Sequence, residues 1–302
     1  MKDSRAIDHS VRPLDSVGAA IVVALCLSWG LNTVAIKLTL PDVPPLIQAT
    51  IRSLGALAVV VLWCAVRRIP LLQRDGTLVP GVVAGALFGV EFVLIYSGLQ
   101  LSYASRASIF LYTAPFFVAL GGAFFLPGER LGVWQWLGLA LSFTGMVVAI
   151  GVPQAAVNAR VLTGDALLIG GGAAWAATTL IIKGSRLRLI SPEKTLAYQL
   201  LVSVPILAAG AWALGEHMVA TPRPAALWWL VYQTVWVVGV TYAVWFAMIK
   251  SYSASRLSAF TFLTPLFGVI AAHFMLGDPI DWPFALAAGL VVGGLILVNR
   301  PR

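Results

Sequence analysis

The chain has 302 residues, 60% of them hydrophobic and 11% charged, with a mean hydropathy of +0.91. A soluble domain carries about a quarter charged residues, so this composition excludes a water-soluble globular fold. The 20 Lys and Arg against 12 Asp and Glu do not point to nucleic acid, because the basic residues fall in short gaps between apolar runs.

The first 16 residues are polar and include Lys2, Arg5 and Arg12. The apolar run that follows is too long for a signal-peptide core and lacks a clear small-residue cleavage site, so it reads as an uncleaved first span. A bilayer core of about 30 Å takes about 20 apolar residues in a helix, the one single-segment conformation that satisfies its own backbone there. Ten such runs are predicted: 17–38, 44–66, 77–99, 104–126, 131–151, 163–183, 192–214, 224–249, 255–276 and 282–299. Cys26 and Cys64 lie inside two of them as small apolar side chains, with no disulfide or metal-ligand spacing.

Basic residues set the expected orientation. With the N-terminus cytoplasmic, fifteen lie inside: Lys2, Arg5, Arg12, Arg67, Arg68, Arg74, Arg130, Lys183, Arg186, Arg188, Lys194, Lys250, Arg256, Arg300 and Arg302. Five (Lys37, Arg52, Arg106, Arg160, Arg223) lie in or beside the outside segments. This predicts an inner-membrane protein with both termini in the cytoplasm. Small residues are expected at helix contacts, because lipid supplies little hydrophobic drive between helices. Gly81, Gly85 and Gly89 on span three and Gly289 and Gly293 on span ten carry that spacing.

A shift of 150 residues lays spans three and four on spans eight and nine. Gly89 and Val90 meet Gly239 and Val240; Ala104, Ser105, Arg106, Ser108, Phe110, Pro115 and Phe117 meet Ala254, Ser255, Arg256, Ser258, Phe260, Pro265 and Phe267. A shift of 146 aligns Trp29, Thr33, Ile36 and Lys37 with Trp175, Thr179, Ile182 and Lys183. The chain therefore divides into an N-terminal segment, 1–16, and two five-helix repeats, 17–151 and 163–299. Five is odd, so the second copy enters the membrane from the opposite side. The expected fold is all-α, with ten transmembrane helices as two inverted repeats, a recurrent plan of secondary transporters. A channel remains an alternative from another class.

Trp29, Gly30 and Lys37 in span one, Arg52 in span two, the Ala104-Ser105-Arg106 run, Pro115 in span four and the Gly128-Glu129 pair after it form a set. The second half carries Trp175, Lys183, Arg256, Pro265, Gly277 and Asp278 at matching places; span seven has no Arg to match Arg52. Together these residues resemble the drug/metabolite transporter superfamily, EamA type. The resemblance implies efflux of small metabolites, with amino-acid exporters, including exporters of aromatic amino acids, among its members. Export of cationic drugs or other metabolites is the alternative within the family.

Glu91 is the carboxylate placed deep in a span, where a charge costs about 2.5–3.5 kcal/mol, so it faces the bundle interior or takes up a proton. Its expected roles are to bind a substrate ammonium group or to carry a coupling proton, although the aligned residue in the second half is Thr241. Trp29, Tyr96, Tyr112, Trp175, Tyr242 and Trp245 lie within spans, where their rings can stack on flat or cationic substrates. Tyr112 leads them, because the resemblance implies an aromatic residue three positions before the span-four proline. Asn32, Thr33, Thr178, Thr179 and Gln199 are polar groups for substrate or for interhelical hydrogen bonds.

Pro115 and Pro265 predict mid-membrane kinks that serve as hinges or shape the cavity. Lys37, Arg106, Lys183 and Arg256 read as structural residues of helix ends, and His273 as packed. No HExxH, Gly-x-Ser-x-Gly, paired intramembrane aspartates or GxxxxGK[ST] occurs, so an intramembrane enzyme, a resident cofactor or metal, and ATP-driven pumping by this chain are not expected. A monomer suffices, since substrate can pass between the two halves.

Overall fold

The computed structural model describes residues 14–102, 110–150, 158–218, 221–277 and 282–300. Residues 1–13, 104–106, Ser108, Asp278 and Arg302, which carry some of the expectations above, lie outside them.

The described elements form ten helical stretches: α1 Ser16–Thr39, α2 Pro45–Arg67, α3 Leu78–Leu101, α4 Ala114–Phe125, α5 Val133–Ile150, α6 Ala159–Gly184, α7 Pro192–Ala213, α8 Pro224–Ser251, α9 Ala254–Met275 and α10 Trp282–Asn299. Eight are long and apolar enough to cross a bilayer; α4 and α5 are shorter apolar helices. Large apolar side chains such as Leu62, Val66, Phe124, Trp212 and Ile296 project outward, as lipid requires. Tyr252 at the α8–α9 turn donates its hydroxyl to Asp15, and Gln135 at the start of α5 donates to the carbonyls of Val298 and Arg300. Both ends of the described chain therefore sit at one end of the bundle.

Packing follows an exchange of halves. α1 packs on α9 as α6 packs on α4, α3 on α6 as α8 on α1, and α3 on α7 as α8 on α2. The pairs α2–α7 and α5–α10 join equivalent helices. Each of these contacts joins one repeat to the other, so the two repeats form one interleaved bundle.

Close approach uses glycine, and the glycines differ from expectation on one helix. A side chain at Gly81, Gly85 or Gly89 of α3 would meet Tyr198, Val202 and Ile206 of α7, which follow the same four-residue spacing. On α10 the expected pair is not at the contact: Gly289 has open space and Gly293 comes no nearer than 3.8 Å to Leu141. There Gly294 lies against Gly138 and Ser142, and Gly145 against Ala287 and Leu290. Periodicity identifies a small-residue stripe but not which way it points. Gly85→Ala, whose Cβ would sit 2.7 Å from the Tyr198 carbonyl oxygen, is expected to destabilise by about 1–3 kcal/mol. Gly289→Ala is expected to be neutral or stabilising by up to about 1 kcal/mol. Thermal unfolding of the two purified variants in one detergent checks the contrast.

The prolines also sit differently from a mid-helix kink. The chain turns at Tyr112 and Thr113 before α4 begins, and Pro115 occupies the first turn of α4, where its missing N–H leaves no bond unmade. In α9, Thr261 and Phe262 separate Ala254–Phe260 from Leu263–Leu276, and Pro265 lies in the first turn of the second piece. Each proline thus starts a helical piece after a break. In α8 the stretch Tyr232–Thr241 is a π-helix, whereas the corresponding part of α3 is a regular α-helix.

A buried ion pair joins the two repeats at one end of the bundle. Gly128, at φ +80°, turns the chain after α4 so that Glu129 points back into the protein. Its carboxylate accepts from Ser253 Oγ at 2.5 Å, from the Ala254 and Ser255 backbone N–H at 2.9 and 3.4 Å, and pairs with Lys183 Nζ at 3.1 Å. Lys183 donates further to the carbonyls of Ile249 and Tyr252. A first-repeat carboxylate thereby ties α6, α8 and α9 together, in keeping with a structural role for Lys183. Its repeat-related residue, Lys37, is exposed. Nearby, Lys194 of α7 donates to Asp75 at 2.7 Å; this bond, with one from Thr77, holds the Asp75 carboxyl down to about 2.

Candidate functional site

A cavity of about 190 Å³ lies in the middle of the bundle. Its lining reaches Thr33 on α1 and Thr179 on α6, six residues from Thr39 and five from Gly184, helix ends that lie on opposite faces. At 1.5 Å per residue each is about 8–9 Å from its end, so the cavity is central in depth.

Four helices present residues spaced i, i+3, i+4, which share one helical face. They are Trp29, Asn32 and Thr33 on α1; Phe88, Glu91 and Phe92 on α3; Trp175, Thr178 and Thr179 on α6; and Tyr242, Trp245 and Phe246 on α8. The α1 and α6 triplets are repeat-related at a shift of 146. On α3 and α8, Phe92 and Ile95 correspond to Tyr242 and Trp245 at a shift of 150, and all four line the cavity. Leu111, Tyr112, Gln199 and Thr264 complete the wall.

The rings lock edge to face. Trp29 lies 5.3 Å from Trp245 and 6.2 Å from Tyr242, Phe88 lies 5.9 Å from Tyr242, and Tyr112 lies 6.1 Å from Trp175. The Trp29 indole N–H donates to Thr241 Oγ1 at 2.9 Å, and Thr241 donates to the Val237 carbonyl at 2.5 Å within the π-helical stretch. The residue that mirrors Glu91 is therefore occupied in positioning a ring.

Several polar atoms at this wall have no hydrogen-bond partner among the described residues: Asn32 Oδ1, Thr178 Oγ1 and both amide atoms of Gln199. Nor does a hydrogen bond or salt bridge from a described residue reach Glu91. Buried polar groups are ordinarily paired, and the exceptions call for a cause. Here they converge on one cavity, together with flat aromatic walls, which is the arrangement of a small-molecule site.

Of the residues singled out in the sequence, Glu91, Tyr112, Trp29, Asn32, Trp175, Thr178, Tyr242 and Trp245 come together in this lining. Tyr96 does not. It is buried one turn beyond Phe92, in a separate cluster with Leu46, Ala49 and Leu207. Phe88, Phe92 and Phe246 join the lining as well; the signal for them is the helical spacing of Phe88 three residues before Glu91, Phe92 four after Phe88 and Phe246 four after Tyr242. Asp165, at the edge of the predicted span 163–183, is a further buried carboxylate: with α6 beginning at Ala159 it lies well inside the helix, 4% exposed, accepting from Ser102 Oγ at 2.6 Å.

Comparison with known proteins agrees with this architecture. The EamA-like transporter family matches residues 16–151 and again residues 162–300. "Uncharacterized transporter YvbV" of Bacillus subtilis is 28% identical over 288 residues, covering 93% of this chain and 91% of the relative. A Salmonella typhimurium protein named "Probable amino-acid metabolite efflux pump" is 27% identical over 296 residues, 94% of each chain. A protein crystal structure with 22% identity shares the fold at a TM-score of 0.80, over 92% of this chain and 96% of its own. With both halves matched and the same double-repeat bundle in the structure, the chain belongs to the EamA-like transporter family.

Proposed function

We propose that the protein exports amino acids, aromatic ones among them, by alternating access of the central cavity to the two faces of the inner membrane, with both termini in the cytoplasm. The observation that carries this reading is the combination in one cavity of Glu91, aromatic rings on four sides and unpartnered polar groups. A carboxylate among rings suits an ammonium group; the rings suit an aromatic side chain; the amide and hydroxyl groups suit the remaining polar atoms. The name of the Salmonella relative points the same way, and the excess of Lys and Arg at one end supports the orientation. The breaks before Pro115 and Pro265 are the proposed hinges, since at each the chain turns before a helical piece begins. The cavity lies within one chain, so a monomer is the proposed transport unit.

Export of cationic drugs is the second reading, favoured by Glu91 standing beside Phe88, Phe92 and Tyr242. Purified protein in liposomes, screened with labelled amino acids, cationic drugs and sugars, with and without a pH gradient, separates the two. Amino-acid flux above that of empty liposomes is expected. Flux of cationic drugs alone would replace the first reading with the second, and single-channel currents would discard both.

A further inference from the structure

Two ring pairs of the cavity, Trp29 with Trp175 and Phe92 with Tyr242, are duplicated between the repeats, but the charges are not. Glu91 corresponds to Thr241 at a shift of 150, and a shift of 147, which lays Pro45 on Pro192 at the starts of α2 and α7, pairs Arg52 with Gln199. Both ionisable members thus belong to the first repeat, and both mirror positions are neutral.

Arg52 is 1% exposed, and its Nε and Nη2 have no hydrogen-bond partner among the described residues. Its guanidinium carbon stands 4.5 Å from the centre of the Phe92 ring, whose other surroundings include the cavity. Its charge acts on both Glu91 and Tyr242 of the cavity lining. Gln199, wholly buried on the packed partner helix α7, lines the same cavity with both amide atoms unpartnered. A buried arginine at membrane depth is costly and is retained where it binds something. The face of one ring answers its charge but not its directed N–H groups. A planar group with two acceptor oxygens answers both, and a guanidinium fork matches a carboxylate.

We infer that Arg52 and Gln199 form a carboxylate-binding subsite at the first-repeat wall of the cavity, reached when the Phe92 ring swings off the guanidinium. The inference deepens the amino-acid reading and rests on it. Glu91, next to Phe92 on α3, takes the ammonium group, so the substrate's zwitterionic end lies toward α2 and α3. Its side chain then lies against Trp29, Tyr242 and Trp245. The unequal charges of the two repeats give a single orientation in the cavity.

The test compares an amino acid with the amine that has the same side chain but no carboxylate, tryptophan against tryptamine, as competitors of flux in liposomes and as thermal stabilisers of the purified protein. Arg52→Gln is expected to weaken tryptophan by about 10- to 100-fold, the range of charge-assisted hydrogen bonds, and to leave tryptamine within about twofold. Equal loss for both compounds, or no loss for tryptophan, overturns the subsite. Should Arg52→Gln fail to fold, Arg52→Lys and Gln199→Leu are expected to shift the tryptophan-to-tryptamine ratio in the same direction, by several-fold; an unchanged ratio in both overturns it. If wild-type protein binds no amino acid, the amino-acid reading falls by itself, and indole-3-acetate becomes the probe. Weakening of indole-3-acetate by Arg52→Gln then sustains the carboxylate subsite; no binding of indole-3-acetate to wild-type protein removes it.

Discussion

Replacing Glu129 with Gln is expected to destabilise the protein by about 3–5 kcal/mol, because breaking a buried ion pair leaves its partner charged and uncompensated. Glu129 is 1% exposed and gathers three hydrogen bonds from the start of α9 and one ammonium group from α6, both in the other repeat. A glutamine keeps the shape but offers one acceptor and an N–H that opposes the Lys183 ammonium and the Ala254 backbone N–H. Glu129→Gln with Lys183→Met removes both charges, and the double variant is expected to recover most of the loss. Thermal unfolding in a mild detergent, arranged as a double-mutant cycle, checks the coupling. A Glu129→Gln variant within about 1 kcal/mol of wild type would mean that this carboxylate does not hold the two repeats together.

Glu91→Gln is expected to act in the opposite sense on stability and strongly on transport. Glu91 is 8% exposed and is not matched by a hydrogen bond from the described residues, so neutralising it removes the cost of keeping that charge out of water and gives up only the through-space attraction of Arg52. Folding stability is expected to stay level or rise, while transport of an ammonium-bearing substrate falls by about 10- to 100-fold, the worth of one charge-assisted hydrogen bond. Initial rates in liposomes at low and saturating substrate, across neutral pH, provide the measurement. Full rate with unaltered pH dependence would remove Glu91 from the mechanism. The two glutamates share a residue type and a buried setting, but one is fully bonded and the other faces a cavity, and that difference sets the signs.

Much of the cavity was already legible along the chain. The shift of 146 brought Trp29 and Trp175 into register, and an ionisable residue in mid-span marked the face of α3 that carries Glu91. Phe88 and Phe92 share that face by helical periodicity alone. Tyr96, one turn further along, falls on another cluster; sequence alone gave no reason to separate it, because an aromatic residue in a span serves equally as wall or packing. The sequence pattern assigns Arg52 to the outer flank of span two; burial against Phe92 comes from the approach of α3.

Composition and hydropathy by themselves determined that the chain lives in a membrane, that it crosses as ten helices and that five of these repeat in reversed sense, because lipid leaves the backbone few choices and a duplicated sequence aligns with itself. The tertiary structure decided the rest. It showed which glycines touch, since a stripe of small residues has no direction until a neighbour is placed. It showed that Pro115 and Pro265 begin helices after breaks, and that Glu129 ties the repeats together while Glu91 faces a cavity. These outcomes depend on which side chains from distant parts of the chain meet, and burial and pairing at those meetings cannot be read from local hydropathy.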